Sequence, residues 1–95
     1  MTQFKDLIFK DHHHMINAYH AFDNNWGISV SAGVGAYCTP REDIKDPAKF
    51  SSFEIAIFNP KGDFATSEVL QIDDDVVGWC ERDDINNMIE MIADQ

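Results

Sequence analysis

Between positions 28 and 35, Ile28, Val30, Ala32 and Val34 alternate with Ser29, Ser31, Gly33 and Gly35. Alternation with a period of two puts one set of side chains on each face of a strand, so this segment predicts a half-buried strand with a small, polar outer face. Met15 to Phe22 reads the same way, with Ile16, Ala18, His20 and Phe22 offset from Met15, Asn17, Tyr19 and Ala21. Phe53-Glu54-Ile55-Ala56-Ile57-Phe58 resumes the strand pattern. The aromatic-rich Phe4-Lys5-Asp6-Leu7-Ile8-Phe9-Lys10 predicts a first strand.

Punctuation separates these segments. Asp23-Asn24-Asn25 is a turn signal, because Asn and Asp tolerate positive φ. Asn59-Pro60-Lys61-Gly62-Asp63 supplies a reverse turn, after which Phe64 to Ile72 is expected to return as the hairpin partner. Thr39 to Lys49, with two prolines and a run of charges, predicts a surface loop. Asp73-Asp74-Asp75 breaks the sheet, and Val76-Val77-Gly78-Trp79 is expected to cross towards the last element.

That element is a helix. Ile85, Met88, Ile89 and Ile92 fall at i, i+3, i+4 and i+7, which is one apolar stripe. Asp83 and Asp84 sit in its first turn, where carboxylates favour the positive end of the helix dipole, and Glu81 takes the N-cap. The elements together predict an α+β fold: an antiparallel meander of four to five strands with one C-terminal helix packed on the sheet. Nothing divides the chain, so residues 1–95 are expected to form a single domain. An unprotected edge at Ile28–Val34 would let the chain pair with a copy of itself as a homodimer.

Charge changes the picture. The 95 residues hold 17 acids and 7 bases, for a net charge of −10. Residues 1–49 contribute −1 and residues 50–95 contribute −9, so one face is expected to be strongly negative. Direct binding to nucleic acid runs on clustered Lys and Arg and is excluded as the expectation, as is an anionic membrane surface. The N-terminus has no basic region followed by an apolar run, and no segment reaches the length of a membrane span. Cys38 and Cys80 lie far apart with no paired spacing, which predicts reduced, packed thiols and a cytoplasmic setting.

Catalytic and metal motifs are weak. His12-His13-His14 with His20 is the one cluster that could hold a metal, since His12 and His14 point the same way along an extended segment. Further ligands at metal-motif spacing are missing, so no metal and no cofactor are expected. Asp73-Asp74-Asp75 lacks the alternate acids and distal Glu of a calcium loop. Gly33-Val34-Gly35-Ala36-Tyr37-Cys38 lacks both the third glycine and the helix of a dinucleotide fingerprint. Neither cysteine carries a nucleophile signature, and acidic neighbours raise a thiol pKa. Trp26 and Tyr37 adjoin turns, where an exposed aromatic would anchor an interface.

Four stretches nevertheless resemble a group of short, acidic, uncharacterised bacteriophage proteins. They are Phe4–Lys10, Trp26-Gly27-Ile28-Ser29-Val30-Ser31, Phe53–Ile57, and Asp74-Asp75-Val76-Val77-Gly78-Trp79 ahead of the terminal helix. Those proteins read roughly FKDLxFK, GYGVSV, YEVAV and DDVxGY in the same order. Asp11–His14, the stretch from Cys38 to Asp43 and Glu81 depart from that pattern. The resemblance implies a fold and a phage origin, and it carries no catalytic residues. With the acidity, it leads to the expectation of a non-enzymatic protein that binds and inhibits a host protein. The partner would be a nucleic-acid-handling enzyme or defence complex with a basic surface, as for an anti-CRISPR-like, DNA-mimicking inhibitor. The expected contact residues are Asp73, Asp74, Asp75, Glu81, Asp83, Asp84, Glu90 and Asp94. The alternative is a small-molecule or nucleotide-binding module, such as a sponge for an immune signalling nucleotide, with a pocket lined by Arg41, Lys45, Lys49 or aromatic rings.

Overall fold

A computed structural model describes residues 2–95. Five strands, β1 (Lys10–Asp11), β2 (Met15–Ala21), β3 (Gly27–Gly33), β4 (Phe53–Phe58) and β5 (Val77–Cys80), form one antiparallel sheet in the order β1-β2-β3-β4-β5. A short helix α1 (Thr66–Leu70) precedes β5, and helix α2 (Arg82–Ala93) ends the chain. The fold is therefore α+β, a meander with a C-terminal helix packed on one face.

Register assigns the faces. Ile16 pairs with Ala32, Ala18 with Val30, Ile28 with Ile57 and Val30 with Ile55, and all of these side chains are buried. Phe53 continues this inner face, and Ile85, Ile89 and Ile92 of α2 join the same core. Burying side chains of this size stabilises by about 1.5–3 kcal/mol each, which is why the apolar stripe of α2 fixes its orientation. No described helix is long and apolar enough to cross a membrane.

The structure corrects the reading of Phe4–Lys10 as a strand. Phe4–Asp6 is a turn of 3₁₀ helix, and only Lys10 and Asp11 join the sheet. Phe4, Leu7 and Phe9 all pack on the core, a spacing that an alternating strand cannot satisfy. Asn86 of α2 holds the segment by accepting the Phe4 N–H at 2.7 Å.

The expected hairpin at Phe64–Ile72 is also corrected. Phe64 bridges Phe58, but the chain then coils into α1. The Ala65 N–H donates to the Ile57 carbonyl at 2.7 Å, and the Thr66 hydroxyl accepts the Ile57 N–H at 2.8 Å. These two bonds occupy the open edge of β4 there and end the ladder. Val69 and Leu70, adjacent in sequence, both pack on the core, as helix permits and strand does not. The fifth strand is instead Val77–Cys80, the segment read from sequence as a crossing.

Two smaller corrections concern β3. It is a central strand, paired on both sides, and so offers no edge to a second copy. It stops at Gly33, whose φ of 132° turns the chain, and Val34 beyond it is exposed. A Cβ at Gly33 would lie 2.5 Å from the His14 carbonyl oxygen, so glycine is required there.

Candidate interaction surface

Successive residues of α2 turn by about 100°. With Ile85, Ile89 and Ile92 directed inward, Asp83, Asn87, Glu90 and Asp94 recur at i, i+4, i+7 and i+11 on the opposite side, and all four are exposed. At 1.5 Å per residue, Asp83 and Glu90 stand about 10 Å apart along the axis and Glu90 and Asp94 about 6 Å. Three of the eight expected contact residues thus share one solvent-facing stripe.

The other five are exposed but distributed. Asp84 lies beside this stripe, and its carboxylate accepts the N–H of the N-cap residue Glu81 at 2.9 Å, tying off an orphan donor of the helix start. Asp73, Asp74 and Asp75 form the loop between α1 and β5. There the Asp74 carboxylate accepts the Asp75 N–H at 2.7 Å, which shapes the turn. Among the described residues the ion pairs are His14–Asp43 and Lys45–Asp43, so none of the eight acids is neutralised by a base.

Beside the acidic stripe lies a feature that the sequence reading missed. Three steps along β5, from Val77 to Cys80, oppose two steps along β4, from Phe53 to Ile55. The extra residue is a β-bulge, which bends an edge strand and re-aims a side chain. Trp79 sits on it with a φ of 53°, a left-handed backbone that a bulky aromatic rarely adopts. The residue is 58% exposed. Tyr37 stacks against it with ring centroids 5.4 Å apart, and the Tyr37 carbonyl accepts the Trp79 N–H at 2.9 Å. On its other side Trp79 borders an open groove of about 400 Å³ lined by Leu70, Val77, Met88 and Met91, with Asp84 at the rim. Trp79 thus holds an exposed indole on backbone of a sparsely populated region.

Of the two aromatics singled out by sequence, Tyr37 is exposed and belongs to this surface, whereas Trp26 packs on the core. The signal for Trp79 was its place after Gly78. A Cβ at Gly78 would lie 2.6 Å from the Tyr37 Cβ, so only glycine lets Tyr37 approach.

The histidines do not converge. His13 and His14 have φ values of 42° and 63°, so the segment turns and the extended geometry that would align His12 with His14 is not formed. His14 Nδ1 lies 2.9 Å from an Asp43 carboxylate oxygen, and His20 Nε2 lies 3.3 Å from the Thr2 hydroxyl. Among the described residues no three His, Cys, Asp or Glu side chains cluster as a metal site would require. The hydrogen bond from His14 and that from Lys45 hold the Asp43 carboxyl below the usual range.

Both cysteines are free and buried. Burial, assisted by the neighbouring Asp84 charge, pushes the Cys80 thiol up to about 11, which keeps it protonated and unreactive at neutral pH. Gly33–Gly35 leads into a turn rather than a helix, so no helix N-terminus faces it. Arg41 lies over the Tyr37 ring and Lys45 is paired with Asp43, so these two bases already have partners within the chain.

Comparison with protein-family models, curated proteins and solved structures found no match to this chain.

Proposed function

We propose that this chain is a non-enzymatic interaction protein that docks through β5 and α2 on a basic surface of a nucleic-acid-handling protein and inhibits it by occupying that surface. The observation that carries this reading is Trp79: an exposed ring, on strained backbone, between Tyr37 and an apolar groove that Asp84 also lines. Binding hot spots are aromatic anchors in pockets, surrounded by polar residues that exclude water. The polar residues at the groove are Asp84 and Asn87, and among the described residues none of the acids of α2 has an internal ion pair, so the partner they attract is basic.

A protein surface that binds nucleic acid is basic for the reason given by phosphate charge, and an acidic stripe competes for the same positive field. The resemblance to bacteriophage proteins supports a host enzyme or defence complex as the target, with anti-CRISPR-like inhibition as the specific form. The reading predicts steep salt dependence. Partner binding should weaken when salt rises from about 50 to about 500 mM, because the Debye length shortens and exposed charges are screened at closer range. Reversing Asp83, Glu90 and Asp94 to Lys should both weaken binding and flatten that dependence. Unchanged affinity in the reversed variant would reject the acidic surface as the site.

A further inference from the structure

The outer face of the sheet, opposite α2, is built differently. Its residues on β1 to β4 are Lys10, then Met15, Asn17, Tyr19 and Ala21, then Gly27, Ser29, Ser31 and Gly33, then Glu54, Ala56 and Phe58. Only Lys10 and Glu54 are charged, so this face has no net charge on a chain of −10. Two copies can approach here without opposing their acidic helices.

The two charges lie in one row. Lys10 pairs with Asn17, Asn17 with Ser31 and Ser31 with Glu54. Strands are spaced about 4.8 Å apart, so the ends of this row are about 14 Å apart. A two-fold axis parallel to the strands and midway between β2 and β3 exchanges those ends. It sets Lys10 of each copy against Glu54 of the other, and Tyr19 of each over Ser29 of the other.

The middle of the row is already internally bonded. The Asn17 amide donates to the Ser29 and Ser31 hydroxyls at 2.9 and 2.8 Å. Its two donors therefore stay satisfied when water leaves, which lowers the cost of drying this part of the face. Tyr19 lies flat over Gly27, where a Cβ would come within 2.1 Å of its hydroxyl oxygen, and its ring centroid is 6.1 Å from that of Phe58. More than half of the tyrosine surface remains open.

We infer that this face closes against a second copy of the chain, forming an isologous sheet-on-sheet dimer with reciprocal Lys10–Glu54 pairs. Strands of six or seven residues are about 20–24 Å long, and four strands span about 19 Å, so the face is small beside the roughly 800 Å² per partner of a standard interface. A face of this size suits a reversible dimer, and the acidic surfaces of both copies stay free.

The test is sedimentation equilibrium of the untagged protein from about 5 to about 500 μM, with folding of each variant checked by circular dichroism. The wild type should pass from monomer to dimer. Lys10→Glu and Glu54→Lys should each weaken self-association by about tenfold or more, since each replaces two attractive pairs by two repulsive ones; Glu54 also accepts the Tyr37 N–H at 3.1 Å, so Lys10→Glu is the cleaner of the two. Mixed together, the two variants should form a heterodimer. The introduced acid of one then faces the introduced base of the other, and the second pair is the native Lys10–Glu54 contact. A wild type that stays monomeric throughout overturns the proposal. So do folded variants that self-associate like the wild type, or that fail to associate when mixed. The experiment uses the protein alone, so its failure leaves the docking of β5 and α2 on a basic partner untouched.

Discussion

Trp79 and Tyr37 are joined twice, by a backbone hydrogen bond of 2.9 Å from the Trp79 N–H to the Tyr37 carbonyl and by packed rings with centroids 5.4 Å apart and planes tilted by 36°. The pair ties the loop after β3 to the bulge of β5 and holds an indole in solvent. The left-handed backbone at Trp79 separates two roles that usually coincide. Replacing Trp79 by Gly relieves the conformational penalty, so stability should stay within about 1 kcal/mol of the wild type in urea unfolding. Partner binding should fall at least about 30-fold, the loss expected of a hot-spot aromatic. Equal binding by the variant would remove Trp79 from the interface.

Gly78 tests the same pair from beneath. Gly78→Ala pushes a methyl into the Tyr37 Cβ and carbonyl, which belong to the loop and cannot swing aside. Overpacking of this kind costs about 1–3 kcal/mol. The variant should lower the urea midpoint and shift the tryptophan fluorescence as Trp79 loses its neighbour.

Arg82 is the structural cation of α2. Its guanidinium donates to the Phe50 and Pro47 carbonyls at 2.9 and 3.0 Å and lies over the Phe4 and Phe53 rings at 4.9 and 5.2 Å. Arg82→Ala should destabilise by about 2–3 kcal/mol, from lost charged hydrogen bonds and cation–π contact. Arg82→Lys should recover less than half of this in chemical denaturation, because an ammonium cannot reproduce the fork.

The Cys80 thiol gives a pH signature. Its pKa is raised from 9.0 to about 11, first by burial and then by Asp84. A raised thiol pKa means that the folded chain holds its proton more tightly than the unfolded chain. The associated stability is fully present below pH 9 and is lost progressively as pH climbs from 9 to about 11. Alkylation of the native protein at about pH 9 should be slow and confined to transient openings. Asp84→Asn keeps an acceptor for the Glu81 N–H but removes the charge, so the folded thiol should titrate at lower pH, read from thiolate absorbance. An unchanged titration would assign the shift to burial alone.

Much of the fold was legible in the sequence because its main strands and last helix carry clean periods. Ile28 to Ala32 alternate over a central strand, and Ile85, Ile89 and Ile92 recur over a helix with one dry side. Phe4–Phe9 misled because aromatic content resembles strand propensity, whereas a tertiary bond to Asn86 sets the local shape. Phe64–Ile72 misled because the Ala65 N–H and the Thr66 hydroxyl both bond Ile57 and end the β4 ladder as the chain coils into α1. At the site, the stripe of Asp83, Glu90 and Asp94 follows from helical spacing alone. Trp79 is marked only by Gly78 before it, because a bulge is a mismatch between two strands and neither strand records it by itself.

The most direct test of the proposed role is a pull-down from bacterial host lysate with the wild type and the Asp83, Glu90 and Asp94 to Lys variant, read by mass spectrometry at low and high salt. The expected result is a nucleic-acid-binding protein retained by the wild type at low salt, released at high salt, and absent from the reversed variant. Retention of the same proteins by both, at both salts, would contradict an acidic docking surface, as would a wild type that retains nothing.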